Sequence, residues 1–268
     1  MIAAELIIFS IAVGIGAGIL IGMLGIGGGI VFVPFFYFIL PSFGITQESI
    51  PYFAIGTSLL SGAIATSYSA VNHFLKKNLN LKKAIILSAG SVIASILTPY
   101  FVVHTNASIL HGIFAVVFIF VAIRMLFFNG SNHESSKKII LPKLYLFGFG
   151  LVIGTVSAFS GIGGGLLYFP TLVYLFDTDI KPAIGTSSFA TAATMIFSAL
   201  SFSQQQNNFS IEGSIGYILI VPGLLVGVFA SIGSYFGVKL AINSKDKLIK
   251  KIFAVVLIIA VLKIILGI

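Results

Sequence analysis

Gly25-Ile-Gly-Gly-Gly-Ile-Val-Phe-Val-Pro34 returns as Gly161-Ile-Gly-Gly-Gly-Leu-Leu-Tyr-Phe-Pro170, 136 positions on (161 minus 25). Three adjacent glycines do not belong in a helix interior, where each costs about 1 kcal/mol relative to alanine. Each run therefore marks a break, with a short apolar segment restarting behind it. A second copy in the same context means a duplicated unit.

The surroundings of the breaks set the class of protein. Of 268 residues, 58% are hydrophobic and only 8% charged, with a mean hydropathy of +1.13. Soluble chains run at roughly 25% charged, and no polar stretch here is long enough to build a separate domain. The net charge of +8 and pI near 9.6 do not describe a nucleic-acid surface. The 15 Lys and Arg lie mostly in short loops between apolar segments, as in membrane proteins. No cysteine is present, which excludes disulfides and thiolate metal sites, and the four histidines lack metal-ligand spacing. Met1–Glu5 has no basic region and no cleavage-like site ends the first apolar run, so that run reads as a first membrane segment.

Spanning the hydrocarbon core takes about 20 apolar residues. Candidate segments are 2–24, 29–40, 52–73, 84–103 and 109–128, then 144–161, 165–176, 183–202, 215–240 and 252–268. Further markers tie the halves together. Ala54-Ile-Gly-Thr-Ser58 matches Ala183-Ile-Gly-Thr-Ser187, and Ile113-Phe-Ala-Val-Val117 matches Ile252-Phe-Ala-Val-Val256. The expected organisation is a membrane repeat over 1–130, a cytoplasmic linker over 131–143 and a second repeat over 144–268.

Loop charge then orients the repeats. Lys76, Lys77, Lys82 and Lys83 mark the loop after the third segment as cytoplasmic, whereas its counterpart, 203–212, has no Lys or Arg. The loop 104–108 likewise lacks Lys and Arg, but its counterpart carries Lys239, Lys245, Lys247, Lys250 and Lys251. Corresponding loops fall on opposite sides. The fold expected is an all-α polytopic membrane protein of two inverted-topology repeats, with 8–10 transmembrane segments. At 12 residues each, 29–40 and 165–176 either start part-way across or are re-entrant.

The chemistry follows from the breaks. Glycine lets backbone turn sharply and approach a ligand, and the helix restarting behind it presents unpaired N–H groups, a natural anion site. Paired breaks in two halves point to a transporter's binding site. Gly27, Gly28, Gly29, Gly163, Gly164 and Gly165 are therefore candidate substrate-binding residues. Gly14, Gly18 and Gly22, with Gly150 and Gly154, read as helix-packing glycines. The Ile-Gly-Thr-Ser runs, with Pro51 and Pro182 just upstream, look like helix starts, and Thr57, Ser58, Thr186 and Ser187 join the candidates as caps or as hydroxyl donors to an oxyanion. Ser61, Asn72 and Thr191 are weaker candidates for a translocation path. Arg124 and Lys263 read as snorkelling residues at segment ends. No carboxylate falls well inside a segment, so no carboxylate proton relay is expected. Enzymatic constellations, cofactor sites and a P-loop lysine are missing, which excludes an ATP-driven pump within this chain alone.

The duplicated Gly-Ile-Gly-Gly-Gly-x-x-x-x-Pro, each followed by Ala-Ile-Gly-Thr-Ser, closely resembles the TauE/SafE sulfite exporter-like permeases, also called the TSUP family, along essentially the entire chain. The resemblance implies a bacterial or archaeal inner-membrane carrier of sulfite or organosulfonates, with the motif residues Gly27–Gly29, Pro34, Gly56–Ser58, Gly163–Gly165, Pro170 and Gly185–Ser187 lining its site. The motif pair is specific for the family and not for the cargo. Ser160 stands before the second glycines where Leu24 stands before the first, so the two half-sites are not chemically identical.

The reading is a secondary transporter of a small sulfur-containing oxyanion such as sulfite or an organosulfonate. It would work by alternating access, with the site between the repeats. A carrier of another small anion (carboxylate, phosphonate or amino acid) and an anion channel are the alternatives. The partners expected are the small anion and the lipid bilayer, not nucleic acid. The chain is compatible with a homo-oligomer and with a proton or sodium coupling ion, and fixes neither.

Overall fold

The computed structural model describes residues 2–106, 109, 142–206, 211–252 and 255. Helices dominate: α1 (Ile2–Leu24), α2 (Gly29–Ile39) continued by a 3-10 turn at Leu40–Phe43, α3 (Ile50–Leu75), α4 (Leu81–Val103), α5 (Lys143–Ser160), α6 (Gly165–Pro170) continued by a π turn at Thr171–Leu175, α7 (Ile180–Gln204) and α8 (Ile220–Asn243). A two-residue hairpin, β1 (Ser214–Ile215) with β2 (Ile218–Leu219), precedes α8 and pairs Ser214 with Leu219. The expected segments 109–128 and 252–268, and the linker, lie almost wholly outside the described residues.

Among the described residues five helical stretches are long and apolar enough to cross a membrane: Ile7–Leu24, Ile50–Leu75, Leu81–Val103, Ile180–Gln204 and Ile220–Asn243. This matches the all-α polytopic expectation. The side-chain distribution is that of a helix in lipid. On α4, Ser88, Ser91 and Ser95 are buried, while Ile85, Ile93, Ile96 and Leu97 are exposed. Polar side chains point inward because lipid cannot hydrogen-bond to them.

Glycine faces set the packing. Gly14, Gly18 and Gly22 on α1 lie against Val226, Ala230 and Ser234 on α8, so closely that an added Cβ would meet backbone. Gly150 and Gly154 on α5 lie in the same manner against Leu87 and Ser91 on α4. The packing role expected for these five glycines is what they perform. Residue numbers rise together in both pairs, so α1 runs parallel to α8 and α5 parallel to α4.

The first helix of each half therefore pairs with the fourth helix of the other. At the centre α3 crosses α7 in the opposite sense, with Gly62 near Met195 and Ser69 near Ser188. Exchanging the halves maps this set of contacts onto itself.

The two ends differ in charge. One end gathers the C-termini of α3 and α8, the N-termini of α4 and α7, and the end of the π turn. There Lys83 Nζ donates to the Phe176 carbonyl at 2.7 Å and Lys181 Nζ to the Ile242 carbonyl at 2.7 Å. Lys76, Lys77, Lys82, Lys239 and Lys245 belong to the same end. The opposite end holds Glu48, Glu212 and the hairpin, and Tyr52 Oη donates there to the Thr105 carbonyl. Two apolar cores occupy these two ends: one centres on Phe32, Phe36 and Phe53, the other on Tyr168, Phe169 and Leu172.

Candidate functional site

The two glycine breaks meet face to face inside the molecule. Gly27 and Gly28 have φ of 82° and 76°, and Gly163 and Gly164 have 87° and 75°. Only glycine adopts such a run without strain. A Cβ on Gly29 would collide with the Gly161 carbonyl, and one on Gly165 with the Gly25 carbonyl. On Gly27 it would lie 2.7 Å from the Ile162 carbonyl oxygen. From this meeting point α2 runs to the end that holds the hairpin, while α6 and its π turn run to the lysine-rich end, where Phe176 meets Lys83. Pro170 supplies no N–H to the helix turn, and the backbone loosens there into the π turn.

Backbone donors at the breaks are left over. Gly25 and Gly161 close the preceding helices by donating to Ile21 and Ser157. The Gly28 carbonyl takes the Val31 and Phe32 N–H groups, and the Gly164 carbonyl those of Leu167 and Tyr168. The N–H groups of Gly27, Gly28, Gly29, Gly163, Gly164 and Gly165 have no protein acceptor among the described residues. These six residues are buried.

The Ile-Gly-Thr-Ser runs are not helix starts. The helices begin at Ile50 and Ile180, after Ser49 and Asp179, and Pro51 and Pro182 occupy their first turns. Proline is tolerated there because its missing N–H would be unpaired in any case. The motif lies further in and is spent on holding the halves together, with each residue doing one job. Gly56 lets the Tyr217 carbonyl approach, and Gly185 the Asn78 carbonyl. Thr57 Oγ1 accepts the Leu219 N–H at 3.1 Å, and Thr186 Oγ1 accepts the Asn80 N–H at 3.0 Å. Ser58 Oγ donates to the Gly161 carbonyl at 2.9 Å, and Ser187 Oγ to the Gly25 carbonyl at 3.0 Å. Every one of these six contacts crosses between the halves.

Ser58 and Ser187 touch the breaks, Thr57 and Thr186 hold chain at the two ends, and all four hydroxyls are fully buried. Each is bonded to a protein group in this conformation, so the donors left at the centre are backbone N–H groups and the Thr191 hydroxyl. Among the described residues no charged side chain contributes to the meeting point. On the lysine-rich side His73 is a fully buried ionisable group. Its Nε2–H donates to the Gly22 carbonyl at 3.0 Å, and its Nδ1 accepts from Asn78 Nδ2 at 3.0 Å. Those partners select the neutral tautomer protonated at Nε2.

Other expectations fall in different places. Ser61 Oγ donates to the Gly223 carbonyl at 2.9 Å, a packing bond between α3 and α8. Asn72 Nδ2 donates to the Tyr68 carbonyl on its own helix. Thr191 sits against Gly27 with its hydroxyl unpaired. Arg124 and Lys263 lie outside the described residues. Met195 went unnoticed in the sequence. It is fully buried, and a Cβ on Gly62 or Gly163 would strike its thioether. Its signal is an asymmetry, for the corresponding residue in the first half is Thr66.

Comparison with known proteins agrees with this architecture. Residues 10–264 match the family described as Sulfite exporter TauE/SafE. A "Probable membrane transporter protein" of Haemophilus influenzae is 32% identical over 259 residues, covering 94% of this chain and 96% of that protein. A "Probable membrane transporter protein MJ0441" of Methanocaldococcus jannaschii is 31% identical over 236 residues, 88% of this chain and 85% of its own. YunE of Bacillus subtilis, also named a probable membrane transporter protein, is 28% identical over 273 residues, 93% of each chain. No solved structure matches. The chain belongs to the TauE/SafE family and is a multi-pass membrane transporter of the cell membrane.

Proposed function

We propose that this transporter is a secondary carrier of a small sulfur-containing oxyanion, sulfite or an organosulfonate, held where the two glycine breaks meet. The observation that carries the reading is the set of six break N–H groups without protein acceptors, brought together from both halves. Such groups bind oxyanions without a charged side chain, and a tetrahedral or pyramidal oxyanion can accept from several at once. The first break opens the longer helix and contributes the larger dipole, since α6 has only six residues before its π turn. Thr57, Ser58, Thr186 and Ser187 hold the break carbonyls and neighbouring loops, and their hydroxyls become additional donors when those bonds open.

The halves 1–130 and 144–268, joined by 131–143, are read as inverted repeats. The antiparallel crossing of α3 and α7 and the lysines gathered at one end support this. Because the breaks are buried from both ends, cargo reaches them only when helices move. That favours alternating access over an open channel.

Counterflow of radiolabelled sulfite into liposomes containing the purified protein tests the reading. Saturable counterflow, competed by sulfoacetate and not by acetate, is expected. Counterflow driven by carboxylates or phosphonates alone would overturn the cargo, and unsaturable, field-driven flux would overturn the carrier.

A further inference from the structure

Six buried hydroxyls have no hydrogen-bond partner among the described residues: Ser88 and Ser95 on α4, Ser157 on α5, Thr191 and Ser198 on α7, and Ser234 on α8. Each is more than nine-tenths buried. A serine or threonine in a helix commonly gives its proton to the carbonyl one turn back. Ser61, Thr66 and Thr194 do so here, and these six do not.

Five of the six are carried by the three helices of one junction, where α4 packs against both α5 and α7, and of these Thr191 lies against the break at Gly27. Leu87 and Ser91 of α4 lie level with Gly150 and Gly154 of α5. Asn80 and Ile96 of α4 lie level with Thr186 and Ser201 of α7. This register puts Ser95, Ser157 and Ser198, one from each helix, within about one helical turn of the same level (~5.4 Å). The same junction holds the Tyr168 hydroxyl, 2.8 Å from Thr194 Oγ1.

The equivalent junction of the other half, among α8, α1 and α3, has the same backbone register and different chemistry. Where this junction has Ser88, Ser91, Ser157, Thr191, Thr194 and Tyr168, the other has Gly227, Ala230, Ile21, Gly62, Ala65 and Phe32. Only two positions keep a hydroxyl there, Ser69 and Ser234, and Ser69 is bonded to Ser188. Gly223 and Gly227 close that junction directly onto Leu60 and Ile64. One junction is closely packed, and its Ser61 and His73 are bonded to the Gly223 and Gly22 carbonyls, while its counterpart carries most of the hydroxyls left without partners.

A buried hydroxyl without a partner is unfavourable unless water or a solute supplies one. A buried water in turn needs about 2–4 polar partners, which three facing helices can provide. We propose that the α4–α5–α7 junction binds a file of water molecules and forms a hydrophilic crevice reaching the glycine breaks, while its counterpart stays dry. Thr191 joins the crevice to the breaks, for a Cβ on Gly27 would lie 2.9 Å from its Cγ2. Uncharged hydroxyls do not select by sign: in this closed conformation the crevice holds water, and it admits small hydrophilic solutes, the cargo included, when the helices move. Access to the centre is then one-sided despite the duplicated fold.

Tyr168 and Phe32 are matched probes, being corresponding rings that are both 0% exposed. Hydroxyl radicals generated from water by a synchrotron pulse, applied to the unmodified protein in lipid nanodiscs, should oxidise Tyr168 several-fold faster than Phe32. The second measurement uses the absence of native cysteine. Ser95→Cys, Ser157→Cys and Ser198→Cys, each changing one atom, should react with a small cationic methanethiosulfonate about tenfold or more faster than Ile21→Cys and Ala65→Cys, because such reagents need a hydrated thiolate. Equal oxidation of the two rings, or seam cysteines as inert as the two controls, would overturn the proposal. Neither measurement involves transport, so its outcome is independent of the cargo assignment.

Discussion

The hydroxyl of Ser58 donates to the carbonyl of Gly161, 2.9 Å away and in the other half of the chain. Ser187 makes the corresponding bond to Gly25. Each serine fixes the carbonyl that the opposite break has turned out of its helix, so neither break holds its shape alone.

Ser58→Ala and Ser187→Ala should each destabilise the protein by about 1–3 kcal/mol, the range for leaving a buried group unpaired. The double variant should depart from additivity, because both bonds brace one meeting point. Thermal unfolding of the detergent-solubilised protein reads this out. Two unchanged midpoints would show that the bonds contribute nothing.

Alanine at Gly29 or Gly165 should prevent recovery of a monodisperse protein, since the new methyl would occupy the space of a carbonyl from the facing break. Gly16 and Gly148 have nothing within 4 Å of an added Cβ. Gly16→Ala and Gly148→Ala should therefore be neutral or stabilising by up to ~1 kcal/mol through helix propensity. Size-exclusion profiles of the four variants separate the two classes.

Thr57→Val removes the acceptor for the Leu219 N–H, and Thr186→Val the acceptor for the Asn80 N–H. Faster amide hydrogen exchange is expected at 217–220 in the first variant and at 78–81 in the second, by about tenfold for a lost bond near 1.4 kcal/mol. Serine at either position should restore protection. Exchange that rises uniformly along the chain would point to general loosening instead.

Cysteines introduced at Lys77 and Gly213 test orientation, because no native thiol competes. The lysine-rich end should face the cytoplasm. An impermeant maleimide applied to intact cells should label Gly213→Cys alone, and Lys77→Cys should be labelled only after the membrane is opened. The reverse pattern would invert the assignment.

The breaks and the packing glycines were legible because each is a local departure from an otherwise greasy sequence. Gly14, Gly18, Gly150 and Gly154 announce themselves by spacing four apart. The Ile-Gly-Thr-Ser runs were misread as caps because capping is the nearest local use of a threonine or serine beside a proline. Their actual partners, Tyr217, Leu219 and Gly161 for one run and Asn78, Asn80 and Gly25 for the other, lie in the opposite half. Nothing in a single sequence couples such positions. The hydroxyls of α4 were hidden for another reason: their significance lies in contrast with Gly227 and Ala230, and appears only when two helices are superposed in register.

The pairing of α1 with α8 also has a consequence for biogenesis. Gly14, Gly18 and Gly22 emerge first, and the helix they are shaped to fit is made about 200 residues later. At ~5–20 residues per second, the opening helix waits roughly 10–40 s in the bilayer with a bare backbone face turned to lipid. An insertase or chaperone that shelters that groove would shorten the interval in which it can pair wrongly, and the last third of the polypeptide decides whether the first helix ever finds its place.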